Sequence, residues 1–512
     1  MAQTRHNACL SYLSWSCATL FFVFAFFQRT APSVFVKDLS MEFNLSGAGA
    51  GALASSYFYS YAAVQIPLGI LIDKYGPLPI LALTAFLAAA ASLMFALAEK
   101  LWVISLARLF VGAFVGGGWI SILKITSTDP YFAKKKTSIT GWSMLIGLGG
   151  GVLGQGPLAL GVKQYGWRGC MSVSSIVPLL MSIAFGFVWN MRRKQDQRNV
   201  VAGATAAAAG AAGAGSASAS ATTTMPLIKK ASIAAQLGIV FTTPVNFYLV
   251  VYCLFSFAPL LAFGSLWAVP FLNQVGKADN ATAGLLASLL LVGTGLGSPL
   301  GGILSDTFPG HKRTFILMGL LLSCSSMILI IFGTGSFLPI GGAVGVCMFF
   351  AGLGVAPAQL LAFFIANQNN SNNVVAAALA VVNTAGLLSG AIFQPLTGIL
   401  LDIGVVYNTT APTEGTIEIE KQWKPEHMRS VYASVFLTCY VVSGLIAAFV
   451  LPADKEIEDT KGDNVEEEGI CTQGKDVILE ADKEIEDTKG DNVEEEGICT
   501  RYTRKRCDIR RK

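Results

Sequence analysis

A chain of 512 residues that is 53% hydrophobic and only 13% charged cannot cover a soluble body of its size with solvated side chains. Its mean hydropathy of +0.57 places it in a bilayer, and a net charge of +4 confined to a few loops argues against a nucleic-acid partner. Ten cysteines without metal-ligand spacing, and no nucleophile–base pair or phosphate loop, argue against an enzyme, a metal site or a cofactor.

Twelve apolar stretches are each long enough to cross a membrane, which takes about 20 residues of helix. They run over 11–35, 48–72, 78–98, 101–125, 139–162, 168–191, 245–271, 281–304, 314–334, 338–366, 374–401 and 430–451. The first is span-length and no small-residue cleavage site closes it, so it is expected to stay as a helix. The predicted fold class is all-α integral membrane, multi-pass, with twelve transmembrane helices in two six-helix bundles. Basic residues resist translocation, and Lys74, Lys134, Lys135, Lys136, Arg192, Arg193, Lys312 and Arg313 fall on one side. That side is expected to be cytoplasmic and to hold both termini; in a bacterium the membrane would be the inner, cell membrane.

Residues 1–191 form the expected N-terminal bundle and 245–452 the C-terminal one. Between them, 192–244 opens on Arg192-Arg193-Lys194 and passes into Ala, Gly, Ser and Thr, the composition of a flexible cytoplasmic linker. An Ala-rich extra helix is the alternative there, although Gly210, Gly213 and Gly215 interrupt it. Beyond 452 the chain turns acidic, and Ala453 to Thr472 is repeated unchanged as Ala481 to Thr500. So few apolar residues predict a disordered cytoplasmic tail without a transport role.

A short motif recurs through the apolar part. Gly69-Ile-Leu-Ile-Asp73 returns as Gly302-Ile-Leu-Ser-Asp306 and as Gly398-Ile-Leu-Leu-Asp402, each after a Pro-Leu pair. The copies close the second, eighth and eleventh segments, and a fainter one at Pro157 closes the fifth, which predicts four blocks of three helices in alternating orientation. Internal repeats of this kind underlie alternating access in carriers. Gly69-x-x-x-Asp73-Lys74-x-Gly76, and Gly302-x-x-x-Asp306 followed by Lys312-Arg313, resemble the loop signature of the major facilitator superfamily. Asp73 and Asp306 are expected to latch the inner gate by capping neighbouring helix N-termini, Asp73 near Asn373 and Asp306 at the start of helix 5. Arg108, which begins Arg108-Leu-Phe-Val-Gly112, is similar to that superfamily's helix 4 signature; the resemblance implies proton relay, while hydrogen bonds to kinked backbone are the competing reading.

Arg29 is the most informative single residue. An ionised group inside a span faces water or a partner, and a guanidinium suits a carboxylate or phosphate because it donates two parallel hydrogen bonds. Its position resembles the helix 1 arginine of the anion-cation symporter and organophosphate branch. Two features depart from that pattern: residues 246–271 contain no Lys or Arg for a second phosphate contact, and Gln28 stands where an acidic neighbour is common. Tyr57, Tyr61 and Gln65, spaced by four, share a helix face and are expected to line a wet cavity with Arg29 and Gln28. Trp267, Gln359 and Asn383, with Gln394, are the candidates from the other bundle.

Mid-span Asp, Glu and His are missing, since His6, His311 and His427 all lie outside the spans. Facilitated uptake or exchange therefore gains on proton symport. The expected function is secondary active or facilitative transport of a small anionic or zwitterionic organic metabolite by alternating access. Proton-driven efflux of an amphipathic compound, or a non-transporting nutrient receptor, are the alternatives. The expected partners are a small-molecule solute, protons as a candidate co-substrate and the lipid bilayer, with the chain a monomer.

Overall fold

Proline and glycine decide where the apolar segments bend. The computed structural model describes residues 2–132, 136–213, 233–370, 374–409 and 419–451, so the duplicated tail lies outside the described residues. The first segment is two helices, α1 (Ala2–Thr30) and α2 (Pro32–Glu42), where one helix is predicted. Pro32 has no N–H to bond the carbonyl four residues back, which is that of Gln28, and Phe35 is also non-helical at φ −120°, ψ 20°. Next, α3 (Gly47–Tyr75) opens with the Ser46 hydroxyl accepting from the Gly49 amide. It ends at Gly76, whose φ of +86° favours glycine.

After α4 (Pro77–Leu97), the fourth segment divides into α5 (Leu101–Val115) and α6 (Gly117–Thr128) at Gly116. The fifth divides likewise, into α7 (Lys136–Leu153) and α8 (Gly156–Gly213), at the turn Gly154–Gln155 just ahead of Pro157. Inside α8 the expected loop near 163–167 shrinks to Gly166, at φ +69°, ψ 162°. Within 192–244, where a flexible linker or an Ala-rich helix is expected, residues 192–213 and 233–242 are helical. Alanine extends an already nucleated helix at little cost, so α8 runs on to Gly213, and α9 (Ile233–Thr242) follows.

The second half starts with α10 (Pro244–Ser256), a π-helical stretch over Pro259–Trp267 and α11 (Ala268–Gln274). Four more helices follow: α12 (Asn280–Thr307), α13 (Lys312–Ile328), α14 (Gly342–Gln368) and α15 (Val375–Asp402). An antiparallel hairpin, β1 (Val405–Thr409) and β2 (Ile419–Trp423), pairs Val405 with Trp423 where a plain loop is expected. Its strand residues are rich in β-branched and aromatic types, which explains the pairing. Finally α16 (Pro425–Tyr432) and α17 (Thr438–Phe449) flank a π turn.

Among the described residues ten helices are long and apolar enough to cross a membrane, one of them the 60-residue stretch 139–198 that Gly166 interrupts. With large apolar side chains such as Phe86, Val173, Leu180, Ile183 and Phe187 facing outward, this is a multi-pass membrane body. Its helices pack in long pairs: α1 on α7, α4 on α8, α12 on α14 and α3 on α15, with α12 also against α7 and α8. Small residues set these distances. A Cβ on Gly352 would collide with the Leu290 carbonyl, and one on Gly293 with the Phe349 carbonyl, so α12 and α14 touch backbone to backbone. Gly352→Ala is therefore expected to destabilise the protein by about 1–3 kcal/mol, read as a lower midpoint of thermal unfolding in detergent; an unchanged midpoint would show that the pair is not in contact.

Candidate functional site

The site grows from the carbonyl that Pro32 leaves free. Arg108, 1% exposed on α5, donates from its guanidinium to the Gln28 carbonyl at 2.8 Å, supplying the hydrogen bond that the helix lacks. The Gln28 side chain meanwhile donates to the Ser92 hydroxyl at 3.2 Å. Arg108 thus has a backbone partner, and its guanidinium also lies 5.2 Å from the Tyr57 ring and 5.8 Å from Phe95.

Arg29, one residue on from Gln28, also lies near the Tyr57 ring. Its guanidinium carbon is 4.4 Å from the Phe26 ring centre, 5.7 Å from Tyr57, and 5.6 Å from both Phe58 and Tyr61. Tyr57 and Tyr61 stack with centroids 5.7 Å apart, and the Tyr57 hydroxyl donates to the Ala25 carbonyl. Arg29 is only 7% exposed and its Nε has no hydrogen-bond partner. The ion pairs Lys124–Asp73, Arg168–Glu42 and Arg192–Asp129 include neither Arg29 nor Arg108. Four aromatic faces soften the cost of burying Arg29. They do not replace an anion.

Around this group the helices meet across two seams, and the bonds that tie them are polar but mostly uncharged. On one seam the Asp402 carboxylate, at the end of α15, accepts from the Gly47 and Ala48 amides at 2.7 and 2.8 Å and so caps α3. Tyr59 donates to the Ala391 carbonyl at 2.8 Å on the same seam. A Cβ on Gly47 would stand 2.8 Å from the Gly398 carbonyl. On the other seam Gln155, in the turn between α7 and α8, donates to the Gly264 carbonyl at 2.7 Å, and Asn280 donates to the Val34 carbonyl at 2.7 Å. Both acceptors lie in irregular backbone, the π stretch and broken α2, where carbonyls are left over.

At the opposite end of α3 and α12, no described atom comes within 4 Å of where a Cβ on Gly69 or Gly302 would stand. The side chain of Asp73 is 66% exposed there and pairs with Lys124 at 2.6 Å. Here the positive charge beside Asp73 is that of Lys124, on α6. Asn373 and the side chain of Asp306 lie outside the described residues. Lys74 lies over the Tyr75 ring, and Lys312, which with Arg313 starts α13, donates to Gln368 at 2.9 Å. Asp402, in the third copy of the repeat, does cap a helix.

Of the sequence candidates, Arg29, Tyr57 and Tyr61 are brought together, with Gln28 and Arg108 joined through one carbonyl. Gln65 lies a turn further along α3, its amide nitrogen buried without a partner. Trp267 is fully buried in the seam region, donating to the Gln394 carbonyl at 3.0 Å and lying 6.1 Å from Trp423. Gln359 donates to the Ser256 carbonyl, and Asn383 is half-buried on α15. Sequence reasoning missed Phe26, Phe58, Gln155, Asn280 and the cap by Asp402. Only Asp402 carried a signal, as the repeat copy at the far end of α15.

These features define a multi-pass membrane transporter. The model of the Major Facilitator Superfamily matches residues 18–393 and 261–479, and the chain belongs to that family; it moves small solutes and is not an enzyme. It is 23% identical over 312 residues to a "probable hexose phosphate transport protein" of Chlamydia trachomatis serovar D, covering 59% of this chain and 66% of that one, just under two thirds. Over 390 residues it is also 23% identical to the uncharacterized transporter YybO of Bacillus subtilis, covering 74% and 84%. A bacterial homolog of the human lysosomal transporter Spinster, inward-facing and unoccupied, superposes with TM-score 0.60 at 16% identity, covering 88% of this chain and 97% of that one. A mutant of the nucleoside transporter NupG gives 0.62 at 11%, covering 85% and 99%, and a D-xylose-proton symporter 0.60 at 15%, covering 87% and 98%.

The link between Pro32 and Arg108 is open to a double-mutant cycle. Arg108→Met should cost about 1–3 kcal/mol by orphaning the Gln28 carbonyl. Adding Pro32→Ala, which restores a backbone N–H for that carbonyl, should return part of the loss. Strict additivity of the two changes in thermal stability would break the link.

Proposed function

We propose that this chain carries a small organic anion or zwitterion across its membrane by alternating access, with Arg29 as the contact for the negative group. The observation that carries the reading is a guanidinium buried in the last turn of α1 among four aromatic rings without a carboxylate partner. An uncompensated buried charge is expensive, and a substrate anion is the partner that would offset it. Tyr57, Tyr61, Gln65 and Gln28 frame the group; Trp267, Gln359 and Asn383 contribute from the second bundle as the site closes.

The proposed architecture is twelve spans in two bundles, residues 1–191 and 245–452, joined through 192–244 with both termini cytoplasmic. The break at Gly166, which divides the longest apolar helix, and the 29-residue α3 support that count. Packed seams at Gly47–Gly398 and Gln155–Gly264, against open glycine faces at Gly69 and Gly302, support a state closed outside and open inside. Asp73, Lys74, Gly76, Asp306, Lys312 and Arg313 would close the inner end in the other state. For a bacterial chain the proposed location is the inner membrane, and the mid-span lack of carboxylates favours exchange or facilitated uptake over proton symport.

Two measurements check this. Arg29→Gln should lower anion affinity by on the order of 2–5 kcal/mol while leaving the folded fraction unchanged, as seen by uptake into proteoliposomes and size-exclusion profile; undiminished uptake would remove the anion role. Gly398→Val should wedge the Gly47 contact apart, slowing transport without abolishing substrate binding. Wild-type rates in that variant would mean the seam does not have to close.

A further inference from the structure

We infer that the π stretch Pro259–Trp267 is a relay that makes the two seams open and close as one, with Gln155 and Gln394 as the positioning residues that grip it. This rests on the alternating-access reading and goes beyond it by naming the residues that couple the seams. It makes no use of Arg29.

The relay starts from covalent chemistry. Pro259 has no N–H to bond the Phe255 carbonyl four residues back, and the ladder beyond it widens into the i→i+5 pattern. All nine residues of the stretch are buried, so its carbonyls need partners from the protein. Three of them, spaced by three, each accept from a different element. Leu261 accepts from the Gln394 amide on α15 at 2.8 Å, Gly264 from the Gln155 amide between α7 and α8 at 2.7 Å, and Trp267 from the Tyr432 hydroxyl on α16 at 3.3 Å. Of these three donors, Gln155 alone belongs to the first half.

The two glutamines hold corresponding places in the repeat. Gln155 stands two residues before Pro157 and Gln394 one before Pro395, at the Pro-Leu pairs that close the fifth and eleventh segments. They are 0% and 1% exposed, and in each the amide oxygen has no hydrogen-bond partner among the described residues. An unpaired buried oxygen is costly, and an apolar side chain would fill either place without that cost. What both amides provide is a donor aimed at the π backbone.

Gln394 carries the connection to the far seam. Its own carbonyl accepts from the Trp267 indole N–H at 3.0 Å, so its side chain and backbone together hold the third and the last residue of the stretch. A Cβ on Gly51 of α3 would stand only 2.5 Å from that same carbonyl. The contacts therefore run from the turn at Gln155 through Gly264, Leu261 and Trp267 to Gln394, and on to α3. When Gln155 withdraws, the middle carbonyl loses its donor, and relaxation of the π segment toward the tighter α ladder shifts Leu261 and Trp267 against Gln394. The contact at Gly51 has no side chain to absorb that shift, so α3 receives it. Coupling of this kind needs contiguous packed groups with two arrangements.

Hydrogen exchange of the full-length protein in detergent, resolved by mass spectrometry, tests the relay. The amides of Gly47 and Ala48 report the far seam, because the Asp402 carboxylate across it accepts from them. Gln155→Met keeps the length and removes the donor. It should speed exchange at Gly47 and Ala48 by on the order of fivefold, although it lies on the other seam. Adding Gln394→Met or Trp267→Phe should abolish this transmitted increase and leave the local one over 154–160. No increase at Gly47 and Ala48 overturns the inference. An increase that persists undiminished with both added substitutions also overturns it, because the halves then move as rigid blocks without a relay. Coupling is reciprocal, so if Gln155→Met does not fold, Gly398→Val gives the same test from the far seam, by faster exchange over 154–160. Gly398→Val also separates the underlying reading. Parental exchange at Gly47 and Ala48 in that variant means the seam does not open, and alternating access falls together with the inference; faster exchange there, with nothing transmitted in either direction, sinks the inference alone.

Discussion

One missing hydrogen bond organises the first helix and, through it, the site. Pro32 cannot bond the Gln28 carbonyl, so the helix must end or find another donor in a place where water is scarce. Arg108 is that donor. Supplying it carries a buried guanidinium to the side of Tyr57, fixes α5 against α1, and turns α2 out of line. Arg29, one residue later, lies near the same ring. Two arginines thus share one tyrosine, and neither has a carboxylate partner among the described residues; Arg108 also bonds backbone.

The seams follow a related economy. Pro259 and the turn ahead of Pro157 disturb the regular ladder, and the carbonyls at Gly264 and Val34 are reached by the amides of Gln155 and Asn280. Bonds of this kind hold two helices firmly, yet each gives way without leaving a bare charge. Asp402 is the exception, and it sits at a helix N-terminus where a carboxylate is favoured by the helix dipole. Between these bonds, the glycine contacts of α3 with α15 remove the side-chain bulk that would hold the surfaces apart. A carrier needs such a contact to be tight in one state and separable in another.

Much of this architecture was legible beforehand, because membrane spans follow from length and apolarity, and glycine and proline mark bends by covalent structure alone. The repeat of Gly69 to Asp73 pointed to the family, and the cost of an ionised group pointed to Arg29. Helix extent beyond the apolar stretch was not legible: the alanines after Arg198 have too little hydrophobic content to predict a packed element, but enough propensity to continue one already begun. The hairpin before α16 was hidden for the opposite reason, since its short strands stabilise each other only as a pair.

By itself, then, the order of residues determined which segments enter the bilayer, where the backbone weakens, and that a cation would be buried near the start. Only the tertiary structure decided that Asp402 caps α3, that Arg108 bonds a backbone carbonyl, and which rings surround Arg29. Those outcomes depend on distances between segments up to some 350 residues apart, such as Gly47 and Asp402. Local chemistry carries no information about such distances until the helices have packed.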